Sequence, residues 1–476
     1  MNSSLSPCGE FSARIRCLLT VAVLTLPSLS AIAQDHDHSS ESPADAPQVL
    51  AGPLLDSSQL DTSLVDQSRG LELDQDHSHE AQSDDLASHE AGPVTLRLTD
   101  LSLNLLLALG TSTERDASLE SLQGGGHDPR KRGITLQNLE FSIAGAVDPY
   151  FSAETHLIFF VDPIEGESIF EVEEAFLTTQ QLPFHLEEHG LELELGQMFT
   201  EFGLLNPRHP HTWDWLDQPI INSRLFGPDG MRSPGVRLEW QTPLSWYSAV
   251  HVGMQNANGE SMASFLASDE FFGERPIGGV GFEDREVRSL RDFVYLTRWQ
   301  NAGSLSPEVS GKIGISGLIG PNASGADGQT IVAGGDLLIE WRPQREDSAP
   351  LVTWQTEVMQ RDYEVDDQAA LLPGEDLGDW GMYSQLLWSF HPNWAAGLRY
   401  EFVSGSGSSV GGRDADPFRD DRQRIAPLIA WEASHFSRVR FQYNYDQAEH
   451  LEDSAHSFWI GFEVMLGTHR QHETRR

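Results

Sequence analysis

From residue 94 to residue 467 apolar and polar positions alternate with a period of two, in segments of about 10 to 14 residues. The last segment shows it best. Phe458, Ile460, Phe462, Val464 and Leu466 fall on one face, and Trp459, Gly461, Glu463 and Met465 fall on the other. In 436–447, Phe441, Tyr443 and Tyr445 oppose Arg438, Arg440, Gln442 and Asn444; in 394–405, Trp394, Leu398, Tyr400 and Phe402 oppose Arg399 and Glu401. Segments this long and numerous exceed what a soluble sandwich uses. In a membrane barrel the apolar face meets lipid and the charged face lines the lumen. The alternation and turn residues predict sixteen strands: 94–110, 134–147, 149–161, 168–181, 189–200, 233–243, 245–257, 289–300, 307–320, 329–343, 350–364, 379–391, 394–405, 423–434, 436–447 and 455–467. The neighbouring even counts are 14 and 18.

Connection lengths test this independently, because outer-membrane barrels have short periplasmic turns and longer external loops. Every even-to-odd connection is short, as at 148–149, 243–244, 392–393 and 434–435, and most odd-to-even ones are long, as at 111–132, 201–232 and 258–288. Trp240, Trp246, Tyr247, Trp299, Trp341, Trp388 and Trp394 cluster near strand ends, as interfacial girdles require. The fold class is therefore all-β, a transmembrane antiparallel barrel of about 16 strands. Its location is the cell outer membrane of a Gram-negative bacterium, with outer-membrane lipids and the assembly machinery as partners.

The ends of the chain read differently. Residues 1–33 have the three parts of a signal peptide: Arg14 and Arg16, an apolar stretch over 18–32, and Ala31-Ile32-Ala33 before Gln34. Residues 34–93 are acidic and nearly free of aromatics, so a disordered periplasmic tail is expected. Its His36, His38, His77, His79 and His89 stand among carboxylates, a composition suited to weak exchangeable zinc or another divalent metal, or simply to a solvated linker. No resident cofactor is expected otherwise. Residues 468–476 form a C-terminal tail.

Composition removes other classes. The 476 residues hold 31 Lys plus Arg against 72 Asp plus Glu, a net charge of −41, which excludes a nucleic-acid partner. Cys8 and Cys17 both precede the cleavage site, so the mature chain has no thiol chemistry. Lys131 and Lys312 are the only lysines, and the preference for Arg fits planar, paired charges arranged inside the barrel.

The connection after the fifth strand is unlike the other long loops. It holds Leu204, Leu205, Trp213, Trp215, Leu216, Ile220, Ile221, Leu225 and Phe226, too apolar to lie in water, so it should fold into the barrel and narrow it. This arrangement resembles the general and substrate-selective porins of bacteria, whose third external loop forms a constriction. The phrase Gly196-Gln-Met-Phe-Thr-Glu-Phe-Gly203, then Asn206-Pro-Arg-His-Pro-His-Thr-Trp213 and Asp217-Gln-Pro219, also resembles a family of exported porin-like barrel proteins often labelled zinc-regulated or receptor-like. The resemblance covers roughly 94–467 and implies an outer-membrane porin, with a homotrimer expected from the general porins. One departure is the end of the chain, which runs past the last strand to Arg476 rather than closing on an aromatic residue.

The candidate constriction residues are Arg208, His209, His211, Trp213, Asp214, Trp215, Asp217, Arg224 and Asp229. Trp213, Trp215, Leu225 and Phe226 should anchor the loop, and Arg208 and Arg224 should tie it to carboxylates. His209 and His211, near Asp214 and Asp217, offer donors for a divalent ion; the bland reading is a hydrogen-bonded anchor in which Arg208 pairs with Asp214 or Asp217. Candidate lumen charges include Arg237, Glu239, Asp292, Arg298, Arg399, Glu401, Arg438, Arg440 and Glu463. His185 and His189 have the spacing of a zinc-protease motif but fall in a predicted turn, not a helix. The expected function is passive diffusion of small hydrophilic solutes, with divalent ions such as zinc among them. A barrel hydrolase or a structural adhesive barrel are the alternatives.

Overall fold

The computed structural model describes residues 88–91, 94–164, 166–343, 351–366, 376–407 and 416–468. The barrel strands in chain order are β1 (Val94–Ser112), β2 (Gly133–Ala146), β3 (Phe151–Val161), β4 (Ser168–Thr179), β5 (Leu191–Phe199), β6 (Arg232–Gln241), β7 (Tyr247–Asn256) and β8 (Phe293–Ser306). They continue as β9 (Val309–Pro321), β10 (Gln329–Trp341), β11 (Leu351–Glu364), β12 (Leu377–His391), β13 (Trp394–Ser406), β14 (Arg422–Ser434), β15 (Ser437–Ala448) and β16 (Ala455–Thr468). Each pairs antiparallel with its neighbours in the chain, and β16 pairs with β1 from Ser457↔Ser112 to Thr468↔Leu101. That last pairing closes the sheet and leaves the barrel without an edge.

All sixteen predicted strands are present. The main shift is in β8, expected from residue 289. Residues 289–292 instead form a capped turn in which the Asp292 carboxylate accepts from the Ser289 amide at 2.8 Å and the Ser289 hydroxyl accepts from the Arg291 amide. Asp292 is thereby removed from the lumen wall, where alternation had placed it. Ser88–Ala91, which composition assigns to the tail, is a short strand pairing with Val94–Arg97. His36, His38, His77 and His79, the signal peptide and residues 469–476 lie outside the described residues, and the described part of His89 is its backbone in that short strand.

The alternation sorts side chains as expected. Leu398 is 52% exposed and Tyr400 38%, whereas Arg399 and Glu401 between and beside them are 1% and 0% exposed. Trp240, Trp246, Trp299, Trp341, Trp388 and Trp394 are outward and exposed, and Trp394 stacks on Trp431 of β14 at 5.9 Å. Tyr247 is the exception, since it faces the lumen, where its hydroxyl accepts from Gln300. No helix among the described residues is long and apolar enough to cross a membrane. An apolar exterior around a charged interior makes the strands the membrane-spanning elements, so the protein lies in the outer membrane.

Among the described residues three short α-helices pack within the loops: α1 (Asp116–Leu122), α2 (Ile220–Phe226) and α3 (Asp269–Glu274). The main apolar cluster joins Phe202, Ile221, Leu225 and Phe226 of the third loop to Met359, Tyr383 and Val403 on the inner wall. Room for the large side chains of the loop comes from inward-facing glycines. A Cβ on Gly397 would lie 2.9 Å from the Trp215 ring, one on Gly334 2.8 Å from Phe202, and one on Gly381 2.9 Å from Ile221; one on Gly461 would collide with Leu216. Overpacking a filled site of this kind costs about 1–3 kcal/mol. Gly397→Val is therefore expected to displace Trp215 and speed protease cleavage within 200–231, while heat-modifiable gel migration still reports a closed barrel.

Candidate functional site

The third loop spans 200–231 and is held on two sides. On the first, Trp215 is 1% exposed, its indole N–H donates to the Ala426 carbonyl at 2.9 Å, and its ring packs with Ala426, Leu428 and Leu387. Leu216 joins Leu119 and Leu122 of α1 and Trp459 of β16. Asp217 then inserts into a cage on the wall. Its carboxylate pairs with Arg399, accepts from Arg424 at 2.9 Å, and accepts from Gln442 at 2.8 Å and Asn444 at 2.7 Å. Burial pushes this carboxyl up, but Arg399 and Arg424 outweigh burial and hold it down to about 2. Glu401 accepts from the Ile220 amide at 2.6 Å, placing a carboxylate at the start of α2.

Arginines also grip the loop backbone. Arg440 donates to the carbonyls of Trp213 and Trp215 at 2.9 and 3.1 Å, and Arg438 donates to that of His211 at 2.9 Å; both also bond Glu463. Arg224 donates to the carbonyls of Arg419 and Asp420 and lies 3.6 Å from Asp379.

The second side is a cluster of imidazoles and carboxylates. His209 Nδ1 lies 2.6 Å from Glu173 and its Nε2 lies 3.0 Å from Glu174; His211 Nδ1 lies 2.7 Å from Glu140. His156 Nδ1 is 3.0 Å from Glu140 and its ring centroid is 4.1 Å from that of His209. Burial opposes charge on the His209 ring, yet Glu140 and Glu173 hold its pKa well above the ordinary histidine value. Two consecutive glutamates face inward because Glu173 is a β-bulge: His156 pairs with Glu174 and Leu157 with Val172, leaving Glu173 unpaired and turned the same way.

In the structure Trp213, Trp215, Leu225 and Phe226 are buried and Arg224 lies 3.6 Å from Asp379. The structure corrects other expectations. Arg208 pairs with neither Asp214 nor Asp217; its carbonyl accepts from Trp213 at 3.0 Å and its side chain lines the open cavity. Asp217 belongs to the arginine cage, not to the histidines, so the four-residue grouping of His209, His211, Asp214 and Asp217 does not assemble. Asp229 approaches His127 of the first loop at 3.9 Å. Arg399, Glu401 and Arg440 lie beneath the loop and do not face the open pore. The HLEEH stretch is not the expected turn but part of a short 3-10 helix, Pro183–His189, broken by left-handed Phe184 and His185 (φ 55°), so it is no α-helix, and His185 is largely exposed. Glu140, His156, Glu173 and Glu174 were not singled out by sequence. The inward alternation of Glu154, His156 and Ile158 was the available signal.

Below the loop, on the side of the short turns, remains a cavity of about 600 Å³. Arg237, Glu239, Arg298, Arg438 and Glu463 line it, together with Glu154, Glu174, Glu194, Glu201, His251 and Lys312. Within this wall Arg237 donates to Glu201 at 2.9 Å and Arg298 to Asp336 at 2.6 Å.

A closed sixteen-stranded barrel with a lipid-facing exterior, a charged lumen and an inward third loop is a porin-like outer-membrane barrel. No protein-family model matches the chain. An uncharacterized protein of Aquifex aeolicus (strain VF5) is 26% identical over 421 residues, covering 81% of this chain and 82% of its own. Among solved structures, the outer membrane channel DcaP of Acinetobacter baumannii shares 10% identity with a TM-score of 0.49, covering 80% of this chain and 99% of that one. An anion-selective porin from Comamonas acidovorans shares 10% identity with a TM-score of 0.46, covering 78% of this chain and 100% of that one. The barrel assignment rests on this chain's own strand pairing.

Proposed function

We propose that the barrel is a pore for passive diffusion of small hydrophilic solutes, with no catalytic step. The observation that carries this reading is the cavity of about 600 Å³ left under an inward-packed loop and walled by charges of both signs. Divalent cations such as zinc fall within that solute range, and would meet Glu154, Glu174 and His211 on the wall. Seven carboxylates line the cavity against five fixed cations, so a weak cation preference is expected. Planar-bilayer recordings test both points. Stepwise conductance with a reversal potential of cation sign supports the reading; a silent bilayer overturns the pore, and an anion-signed reversal potential overturns the preference. A homotrimer belongs to the same proposal and is read from native migration of unheated protein.

A further inference from the structure

Three ligating side chains from separate stretches meet behind the third loop. Glu140 of β2, His156 of β3 and His209 of the loop are each at most 2% exposed, and their donor atoms lie within 4.8 Å of one another. Both imidazoles turn Nδ1 to Glu140 Oε1, at 3.0 Å for His156 and 3.4 Å for His209. Their Nε2 atoms face other carboxylates, Glu154 at 2.8 Å and Glu174 at 3.0 Å. Metal-bound histidines are held in this way, with one nitrogen on the ion and the other on a carboxylate that fixes the ring and raises its basicity. His211 Nδ1, at 2.7 Å, orients the second oxygen of Glu140.

An independent observation points to the same place. Glu173 is 1% exposed and sets Oε2 2.6 Å from His209 Nδ1, yet its Oε1 has no hydrogen-bond partner. A buried carboxylate oxygen left so is costly, and an adjacent cation satisfies it. We propose that Glu140, Glu173, His156 and His209 form a divalent transition-metal site of mixed imidazole and carboxylate character, suited to zinc. Each ring would release its Nδ1 proton to solvent on binding, so that two neutral imidazoles and two carboxylates give four ligands and a neutral complex. Tetrahedral bonds of 2.0–2.1 Å put neighbouring ligand atoms on the order of 3.3 Å apart, close to the 3.0 and 3.4 Å from Glu140 Oε1 to the two Nδ1 atoms; Glu173, 2.6 Å from His209, would draw back to take the fourth position.

The site is resident rather than permeant. Four buried ligands bind too tightly for conduction, which needs a weakly held ion. Its ligands come from three wall strands and the loop, so the ion would pin residue 209 to β2, β3 and β4, opposite the Asp217 cage. The assignment stands whether or not the barrel conducts.

Cobalt is the probe, added to full-length folded protein in detergent in which His36, His38, His77, His79 and His89 are all alanine, so that the tail contributes nothing. One equivalent of Co²⁺ per chain is expected, with the visible absorption of a tetrahedral nitrogen and oxygen site, displaced by Zn²⁺. His156→Gln should abolish it, and Glu173→Gln should weaken it at least tenfold, with heat-modifiable migration reporting that each variant remains a barrel. Absence of the cobalt spectrum from the tail-substituted protein overturns the site, as does its survival in His156→Gln. Should His156→Gln fail to fold, an unchanged cobalt affinity in Glu173→Gln overturns it instead.

Discussion

Asp217→Ala should free the third loop and raise single-channel conductance severalfold while leaving the barrel closed. The substitution strands Arg399 and Arg424, both buried, opposite a missing carboxylate, and removing one partner of a buried ion pair costs about 3–5 kcal/mol. None of the interstrand hydrogen bonds is touched, so heat-modifiable migration should persist. The same group predicts an acid response. Its folded pKa, about 2, lies below the ordinary 3.8, so its contribution is complete above about pH 4 and is lost as pH falls through about 2. Wild-type conductance should therefore rise over that interval, and Asp217→Asn should flatten the rise. Conductance in Asp217→Ala equal to that of wild type would show that the cage does not hold the loop.

Trp215→Ala attacks the same loop through packing. Truncating a buried aromatic costs about 3–5 kcal/mol, and here it also removes the bond to the Ala426 carbonyl and the surface that fills the space over Gly397. Higher conductance with more noise is expected, together with faster protease cleavage within 200–231. A mutant indistinguishable from wild type in both readouts would place the loop outside the conduction path. Charge and packing hold residues two apart in one loop, so the double mutant should fall short of the sum of the two single effects.

The strands and the inward loop were legible because both depend on local patterns. Period-two alternation is written residue by residue, and a loop carrying Trp213, Trp215, Leu225 and Phe226 declares its burial by composition alone. The partners of that loop were not legible. Arg399, Glu401 and Arg440 alternate inward just as Arg237 and Glu239 do, and only the path of a loop nearly 200 residues away in sequence decides which are covered. Glu173 and Glu174 defeat a strict period of two, because the bulge turns consecutive side chains to one side. Gly334, Gly381, Gly397 and Gly461 look like weak strand positions until the bulky side chain over each is seen. Arg208 failed for a related reason: adjacency in sequence to Asp214 and Asp217 says nothing about pairing once Pro207 and Pro210 redirect the chain.

The two anchorages of the loop lie on opposite sides of it in the order of synthesis. His209 and His211 dock on glutamates 35 to 71 residues earlier, whereas Asp217 waits for partners 182 to 227 residues later, and Leu216 packs against the sixteenth strand. Contacts across such separations form late, because the long intervening chain must first be ordered. During insertion the first half of the loop can settle on β2 to β4 while Trp215 still has no wall to meet. In the proposed pore the constriction would thus be completed only after β13 to β16 are in place. If it conducts as proposed, a newly inserted barrel is leaky first and selective second.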